Sequence, residues 1–277
     1  MIEKTPSRSA GKPKAGRISL PPLDPLRYAP SELRPVRAKA RLLEHDVDIQ
    51  AHHHTWGQLV FSISGAVRVN TAHATYLVPP DRAVWIAPTV VHAVTAVERA
   101  DLRTVYLHQA PSDSAAWRGC RVLEVTPLLR ELVMQLAVSP DTVDNPHREQ
   151  CIASLVLDEL KRANSLRLGV DLPQDKRLRR LCEAMLDEPL RHADLDGWAA
   201  DVGASARTVS RLFRDELGSS YAQWRSQVLL ARALTLAARK MPMSLIAHEL
   251  GYASASAFTA MVTRTVGMPP SRFFAQA

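Results

Sequence analysis

The sequence contains few cysteines and no long apolar segment. Its three cysteines, Cys120, Cys151 and Cys182, lie far apart and form no Cys-x-x-Cys pair, so we expect reduced thiols buried as small core residues in a cytoplasmic protein. No apolar run approaches the roughly 18–20 residues of a membrane span. The basic, proline-rich N-terminus lacks the apolar core of a secretory signal, and its prolines argue against an amphipathic targeting helix.

The composition is that of a globular protein with an uneven charge. The 277 residues leave room for two domains, with 46% hydrophobic and 23% charged residues. The net charge of +7 comes from basic ends, because residues 1–41 hold ten Lys and Arg against three acidic residues, while residues 42–173 are net acidic. This distribution favours a polyanion partner such as nucleic acid, and a solvated tail is the alternative.

Three patterns divide the chain. Residues 1–35 predict a disordered basic arm without hydrophobic periodicity. Residues 36–110 hold short apolar runs separated by turn residues, which predicts a small β-barrel or sandwich. Within 111–170 two helices are expected to begin at Thr126 and at Asn145, before a linker at 167–174. Residues 175–275 predict an all-helical domain.

The helical domain contains an internal repeat at a spacing of 48–49 residues. The segments 198–224 and 246–274 each have an alanine, then a glycine and then a serine at matching positions. A small alanine permits close helix approach, glycine suits the turn between two helices, and serine caps the next helix. The repeat therefore predicts two helix-turn-helix units, at about 195–216 and 244–266, whereas a single match would more often be a packed helix pair.

The first unit presents cations on the outer face of its second helix, and a Gly- and Pro-free segment follows it. Arg207, Ser210, Arg211 and Arg214 suit contacts with phosphates and base edges. Residues 221–239 predict a helix about 28 Å long. Such a rod can place two recognition helices in successive major grooves, about 34 Å apart.

The region 175–275 resembles the DNA-binding domain of the AraC/XylS family of bacterial transcription regulators. The phrases SARTVSRLFRDELGSSYAQWRSQVLLARAL and IAHELGYASASAFTAMVTRTVGMPPSRF carry the resemblance over the whole domain. It implies DNA contacts by residues of both second helices: Arg207, Thr208, Ser210, Arg211, Arg214, Ala255, Ser256, Thr259, Ala260 and Arg264. The sequence departs from the family at Ala260 and Thr263, where long basic residues are common. We therefore expect the first unit to supply most of the specificity, and the second to make weaker or shape-based contacts.

Three consecutive histidines open the stretch HHHTWGQ at residues 52–58. On a strand, His52 and His54 share one face, with Gln58 four residues later and His92 further on. Residues 40–108 resemble a cupin, as in the sensor half of many AraC-type regulators. The resemblance implies that these side chains converge inside a barrel, with Trp56 near its mouth.

Gln58 stands where metal-dependent cupin enzymes commonly carry Glu, and a neutral amide is a poorer ligand than a carboxylate. Three roles stay open for His52, His54 and His92. They hold zinc or nickel with Gln58 or water completing the shell, they line an organic effector pocket with Trp56 and Gln58, or they form a structural cluster. His45, His73 and His108 are expected at the surface or at strand edges.

Together these features predict a sequence-specific DNA-binding transcription regulator and not an enzyme. The expected architecture is an N-terminal cupin-like β-barrel, a helical linker or dimerisation segment, and a C-terminal all-α domain with two helix-turn-helix units joined by a long helix. Its partners would be double-stranded DNA, a small-molecule or metal effector, RNA polymerase and a second copy of the chain, with no membrane. The alternatives are a cupin metalloenzyme fused to a DNA-binding module, and an architectural DNA binder whose barrel is structural.

Overall fold

The structure is a computed structural model that describes residues 18–24, 26–80, 82–112, 115–136, 145–166 and 168–274. Its strands are β1 (Ile18–Leu20), β2 (Val36–Leu43), β3 (Val47–His52), β4 (Gly57–Ser62), β5 (Val67–Thr71), β6 (Ala74–Val78), β7 (Arg82–Ile86), β8 (His92–Ala96), β9 (Ala100–Leu107), β10 (Arg121–Glu124), β11 (Ser165–Leu166) and β12 (Gly169–Asp171). Its helices are α1 (Pro127–Gln135), α2 (Pro146–Arg162), α3 (Lys176–Asp187), α4 (Leu195–Asp201), α5 (Ala206–Leu217), α6 (Tyr221–Ala238), α7 (Met243–Glu249), α8 (Ala255–Val266) and α9 (Pro270–Phe273).

The strands form two six-stranded sheets. Sheet A has the order β1-β3-β8-β5-β6-β12, and sheet B has the order β11-β10-β7-β4-β9-β2. Alternating residues of the strands, such as Val60 and Val69, are buried in one cluster to which both sheets contribute. The opposite side chains of sheet B, such as Leu59 and Phe61, are buried with α1 and α2. The expected fold class, an N-terminal β-rich domain followed by a helical domain, is confirmed.

The helices begin where local capping predicts. Thr126 and Asn145 accept backbone hydrogen bonds at the starts of α1 and α2, and a proline follows each cap. In the helical domain, α4–α5 and α7–α8 form the two expected helix pairs, and α6 connects them. Among the described residues, none of the helices is both apolar enough and long enough to span a bilayer.

Two segments expected to lack structure belong to sheet A. The predicted disordered arm 1–35 is wrong for Ile18–Leu20, which pair in parallel with Val47–Ile49; residues 1–17 lie outside the described residues. The predicted linker 167–174 is also wrong in part, because Gly169–Asp171 pair with β6. Each strand is only three residues long and gains its hydrogen bonds from a distant partner, so neither has a local sequence signal.

The region between the β-rich part and the helical domain is not wholly helical either. Within residues 111–170, Arg121–Glu124 pair with β7 and Ser165–Leu166 pair with β10.

The prediction that all three cysteines are core residues is wrong for one of them. Cys182 is buried and Cys120 is partly buried, but Cys151 is exposed on α2, so it is not a core residue.

Candidate metal centre and DNA-binding surface

The histidine cluster, His52, His54 and His92, lies at one end of the paired sheets. His52 ends β3 and pairs with His92 at the start of β8, while His54 follows two residues after β3. One ligand nitrogen from each ring lies within 4.8 Å of the others, and the ring centroids are 4.4–5.3 Å apart. The structure thus brings together the three histidines that the sequence singled out.

A β-bulge turns His52 towards the interior. Ile49 pairs with Val94, but His52 pairs with His92, so β3 has one more residue than β8 between the two pairs. Strict alternation would put residues 49 and 52 on opposite faces, and the extra residue cancels this difference. As a result, the buried face of β3 passes from Ile49 to His52.

Hydrogen bonds fix the orientation of two rings. Nδ1 of His52 lies 2.7 Å from the Gln50 carbonyl oxygen, and Nδ1 of His92 lies 2.9 Å from that of Val90. Because a carbonyl oxygen only accepts, each Nδ1 carries the proton, and Nε2 of the neutral ring keeps its lone pair. Histidine metal ligands commonly have this arrangement, with the second nitrogen held by a backbone or carboxylate acceptor.

Several buried polar atoms at the cluster have no hydrogen-bond partner among the residues that the structure describes. They are both ring nitrogens of His54, Nε2 of His92, Oε1 of Gln58, the Tyr106 hydroxyl and Nε1 of Trp56. Unsatisfied buried polar atoms are uncommon and call for an explanation, such as a ligand or an ion. Because these atoms lie together, they indicate a binding site for a ligand or an ion.

The electrostatic environment keeps the imidazoles neutral. Burial, with the neighbouring histidines and Lys39 adding to it, lowers the pKa of His54 to about 3. Burial likewise lowers the pKa of His92 to about 4, and it lowers the pKa of His52. A neutral imidazole has a free lone pair, so the cluster can bind a cation at neutral pH without first losing protons.

These residues fit a divalent metal. Three neutral imidazoles are a common donor set for zinc, and imidazole also suits nickel. Gln58 lies on β4 and is 3% exposed, and its Oε1 has no partner among the described residues, so it is a candidate for a weaker fourth ligand. Trp56 is half-buried with its ring 5.5 Å from that of His54.

Lys39 is the residue at this site that the sequence analysis missed. It lies on β2, is 7% exposed, and its ammonium lies 4.9 Å from the centre of the Tyr106 ring. The signal was the alternation of Arg37, Lys39 and Arg41 along one strand, which puts all three on one face. Because cations on a strand more often face the solvent, this pattern alone does not predict a buried lysine.

The first helix-turn-helix unit presents the expected polar face. Ala199 and Val209 are buried between α4 and α5, and Gly203 makes the turn with a φ of +65°. The hydroxyl of Ser205 caps α5. The side chains implied as DNA contacts are exposed or half-buried along α5: Arg207, Thr208, Ser210, Arg211 and Arg214.

The second unit repeats this geometry with smaller side chains. Gly251 turns with a φ of +75°, Ser254 caps α8, and Ala247 is buried like Ala199. The outward residues are all exposed: Ala255, Ser256, Thr259, Ala260, Thr263 and Arg264. Arg264 is therefore the single cation on the outward face of α8, against three on α5.

Comparison with known proteins identifies the two parts separately. A helix-turn-helix domain model matches residues 198–276, and an AraC-like ligand-binding domain model matches residues 38–160. The chain is thus a DNA-binding regulator with an N-terminal ligand-binding domain.

One relative matches most of the chain, and another matches less than half of it. The HTH-type transcriptional regulator NimR of Escherichia coli is 31% identical over 225 residues, which cover 81% of this chain and 82% of NimR. The arabinose operon regulatory protein of Escherichia coli is 28% identical over 116 residues, covering 41% of this chain and 40% of that protein. ToxT from Vibrio cholerae aligns over 87% of this chain and 98% of its own at 9% identity, with a TM-score of 0.36, too low to support an argument. The chain belongs to the AraC-type family of transcriptional regulators.

Proposed function

We propose that the histidine cluster binds a divalent metal, zinc or nickel, and that occupation of this site controls DNA binding by the helical domain. The observation that carries the proposal is the convergence of three neutral imidazoles, two of which have buried nitrogens without a partner among the described residues. A bound metal would hold His52, His54 and His92, with Gln58 or an effector atom as a weaker fourth ligand. Its chemistry would be that of a Lewis acid with one replaceable position.

A regulator without catalytic activity fits these residues better than an enzyme does. A small pocket adjoins the histidine cluster through His52. Its described lining residues include no carboxylate that could act as a general base: Pro22, Leu23, Lys39, Arg41, Ile49, His52, Gln58, Val94, Leu102, Thr104 and Tyr106. A purely structural cluster would leave the free ring nitrogens unexplained, because a structural histidine normally has its hydrogen bonds satisfied.

Sheet A provides a route from the metal to the DNA-binding units. His92 is on β8, whose neighbour β5 carries Arg68, and Arg68 donates to Asp187 at the end of α3 at 3.0 Å. At the far edge of the sheet, the indole nitrogen of Trp224 on α6 donates to the Asp171 carbonyl oxygen at 2.7 Å. Apolar residues of α6 and of both sheets form one continuous cluster. A shift of β8 on metal binding would therefore reach α3 and α6 through contacting residues.

DNA is read mainly by the first unit in this proposal. Arg207, Ser210 and Arg211 contact bases, with Thr208 and Arg214 beside them, because long cations and hydroxyls suit base edges and phosphates. In the second unit, Ser256, Thr259 and Arg264 contribute weaker contacts.

The proposed domain limits are 36–110 for the sensor, 111–170 for the linker and 175–275 for the DNA-binding domain, and residues 18–20 extend the sensor.

The protein is further proposed to act as a homodimer in the cytoplasm, where its DNA lies, and to contact RNA polymerase. Exposed apolar side chains on α1 and α2 support a dimer through these helices: Leu128, Met134 and Leu155 are 44–50% exposed. A second copy would double the half-sites and raise affinity through effective concentration.

The first test is the metal content of the untagged protein, purified without a chelator. The variant His52→Ala/His54→Ala is compared with His45→Ala/His108→Ala, in which both replaced histidines are exposed. We expect about one metal per chain in the wild type and in the control, and none in the cluster variant. Metal retained by the cluster variant, or absent from the wild type, would refute the metal site.

The second test concerns control of DNA binding. DNA selected from a random pool is bound to the wild type with and without the metal, and its affinity is measured by fluorescence anisotropy. A metal that changes this affinity must bind the DNA-competent and the incompetent states differently. Equal DNA affinity in both forms would leave a metal-binding protein whose metal is structural.

A further inference from the structure

Lys39 is a buried cation that forms no ion pair with any residue in the part of the chain that the structure describes. The residue is 7% exposed, and its ammonium lies over two aromatic rings, 4.9 Å from the centre of Tyr106 and 6.0 Å from that of Tyr28. A buried charge is costly unless it is paired, so a lysine left in this state is uncommon. Burial, with nearby Arg41, lowers its pKa to about 8, which still leaves most of it charged at neutral pH.

This charge acts on the histidine cluster. Lys39 is among the charges that lower the pKa values of His52, His54 and His92, and it lines the same pocket as His52, Gln58 and Tyr106. The pocket also contains Arg41, whose guanidinium donates to the Pro21 carbonyl oxygen at 3.1 Å. A divalent metal would add two more positive charges, while the described lining residues contribute no negative one. The positive charge of the site is therefore not balanced by any described lining residue.

We propose that the effector of this site is a small organic carboxylate, with Lys39 as its counter-ion beside the metal held by the histidine cluster. The inference rests on the proposed metal site and names the class of ligand that completes it. A carboxylate pairs with the ammonium and can accept from the Tyr106 hydroxyl, whose oxygen has no partner. A neutral ligand would leave Lys39 unpaired.

The rest of the lining favours an organic acid over an inorganic oxyanion. Leu23, Ile49, Val94 and Leu102 offer apolar surface beside the cation, and such surface suits a hydrocarbon group better than a strongly hydrated phosphate. The free cavity is only about 20 Å³, which is room for about one water-sized group. The body of the acid must therefore displace part of the lining, and Pro22 and Leu23 belong to the short segment that follows β1.

The experiment compares acids with their neutral amides. Propionate and benzoate are titrated by calorimetry against propionamide, benzamide and inorganic phosphate, using the full-length protein both zinc-loaded and metal-free. The variants are Lys39→Met, which keeps the length of the side chain without its charge, and Lys39→Arg, which keeps the charge. Lys161→Met makes the same change on the exposed surface of α2.

We expect at least one acid to bind the zinc-loaded wild type at least about tenfold more tightly than its amide. Lys39→Met should lose this preference, while Lys39→Arg and Lys161→Met should keep it. The melting temperature of Lys39→Met should not fall, because the change removes an unpaired buried charge. The inference would be overturned if the amides bind as tightly as the acids, if phosphate binds and the acids do not, or if no acid binds at millimolar concentration. It would also be overturned by a Lys39→Met protein that is unstable or that binds acids normally.

The two proposals fail in different ways. Zinc binding by the histidine cluster without any acid preference would retain the metal site and overturn the carboxylate. An acid preference that depends on Lys39 in a protein that binds no metal would retain Lys39 as the counter-ion and refute the metal.

Discussion

Mild acid should lower the free energy of unfolding of the metal-free protein because of His54 and His92. In the unfolded chain these imidazoles take up protons below a pKa of about 6.5. In the folded protein, burial holds their pKa values at about 3 and about 4. Below pH 6.5 the unfolded state therefore binds more protons, and the free energy of unfolding falls as the pH falls. The loss continues until the pH approaches the folded-state values.

The size of the effect follows from this difference. Between pH 7 and pH 5, each of the two histidines should remove up to about 1.8 kcal/mol from the free energy of unfolding. Their side chains are only 6% and 2% exposed, so solvent screens this cost little. For a protein of this size, each kcal/mol lowers the melting temperature by about 2–4 °C.

Thermal unfolding in the presence of a chelator measures the effect. The variant His54→Gln/His92→Gln removes both titrating groups, and the control His45→Gln/His108→Gln removes two exposed histidines. The wild type and the control should lose stability between pH 7 and pH 5 more steeply than the cluster variant does. Equal slopes in all three proteins would refute the assignment of buried neutral imidazoles.

Two further predictions concern DNA reading and the contact between domains. Arg211→Ala should cost about 1–3 kcal/mol on the preferred DNA and relax specificity at one base pair, measured on single-base variants of that DNA; equal losses on every sequence would contradict a base contact. Asp187→Asn should weaken the half-buried ion pair with Arg68 by about 1–2 kcal/mol and reduce the effect of metal on DNA affinity. The control Asp158→Asn, in an exposed ion pair on α2, should do neither. An unchanged effect of metal in Asp187→Asn would refute the route through Arg68 to α3.

The helix-turn-helix units could be predicted because their signals are local. Ser205 and Ser254 each cap a helix through a backbone amide three residues away. Gly203 and Gly251 adopt the positive φ that a tight turn between helices requires. Such features depend on residues within one turn of each other, so they remain legible without knowledge of the rest of the chain.

The edges of sheet A could not be predicted. Ile18–Leu20 become a strand because Val47–Ile49 offer a parallel edge nearly thirty positions away, and Gly169–Asp171 join β6 across almost a hundred residues. A three-residue strand buries too little by itself to leave a hydrophobic pattern. Its structure is decided by a partner that the local sequence does not reveal.

The sequence by itself determined the helical repeat, the caps and turns of the recognition helices, and the histidines worth examining, since each depends on short-range backbone chemistry or on residue type. Tertiary structure alone decided which side chains share the pocket. The bulge in β3 turned His52 inward, and the pairing of β2 with β9 buried Lys39 opposite Thr104. These outcomes depend on the register between distant strands, and a shift of one residue in that register reverses the face of every side chain.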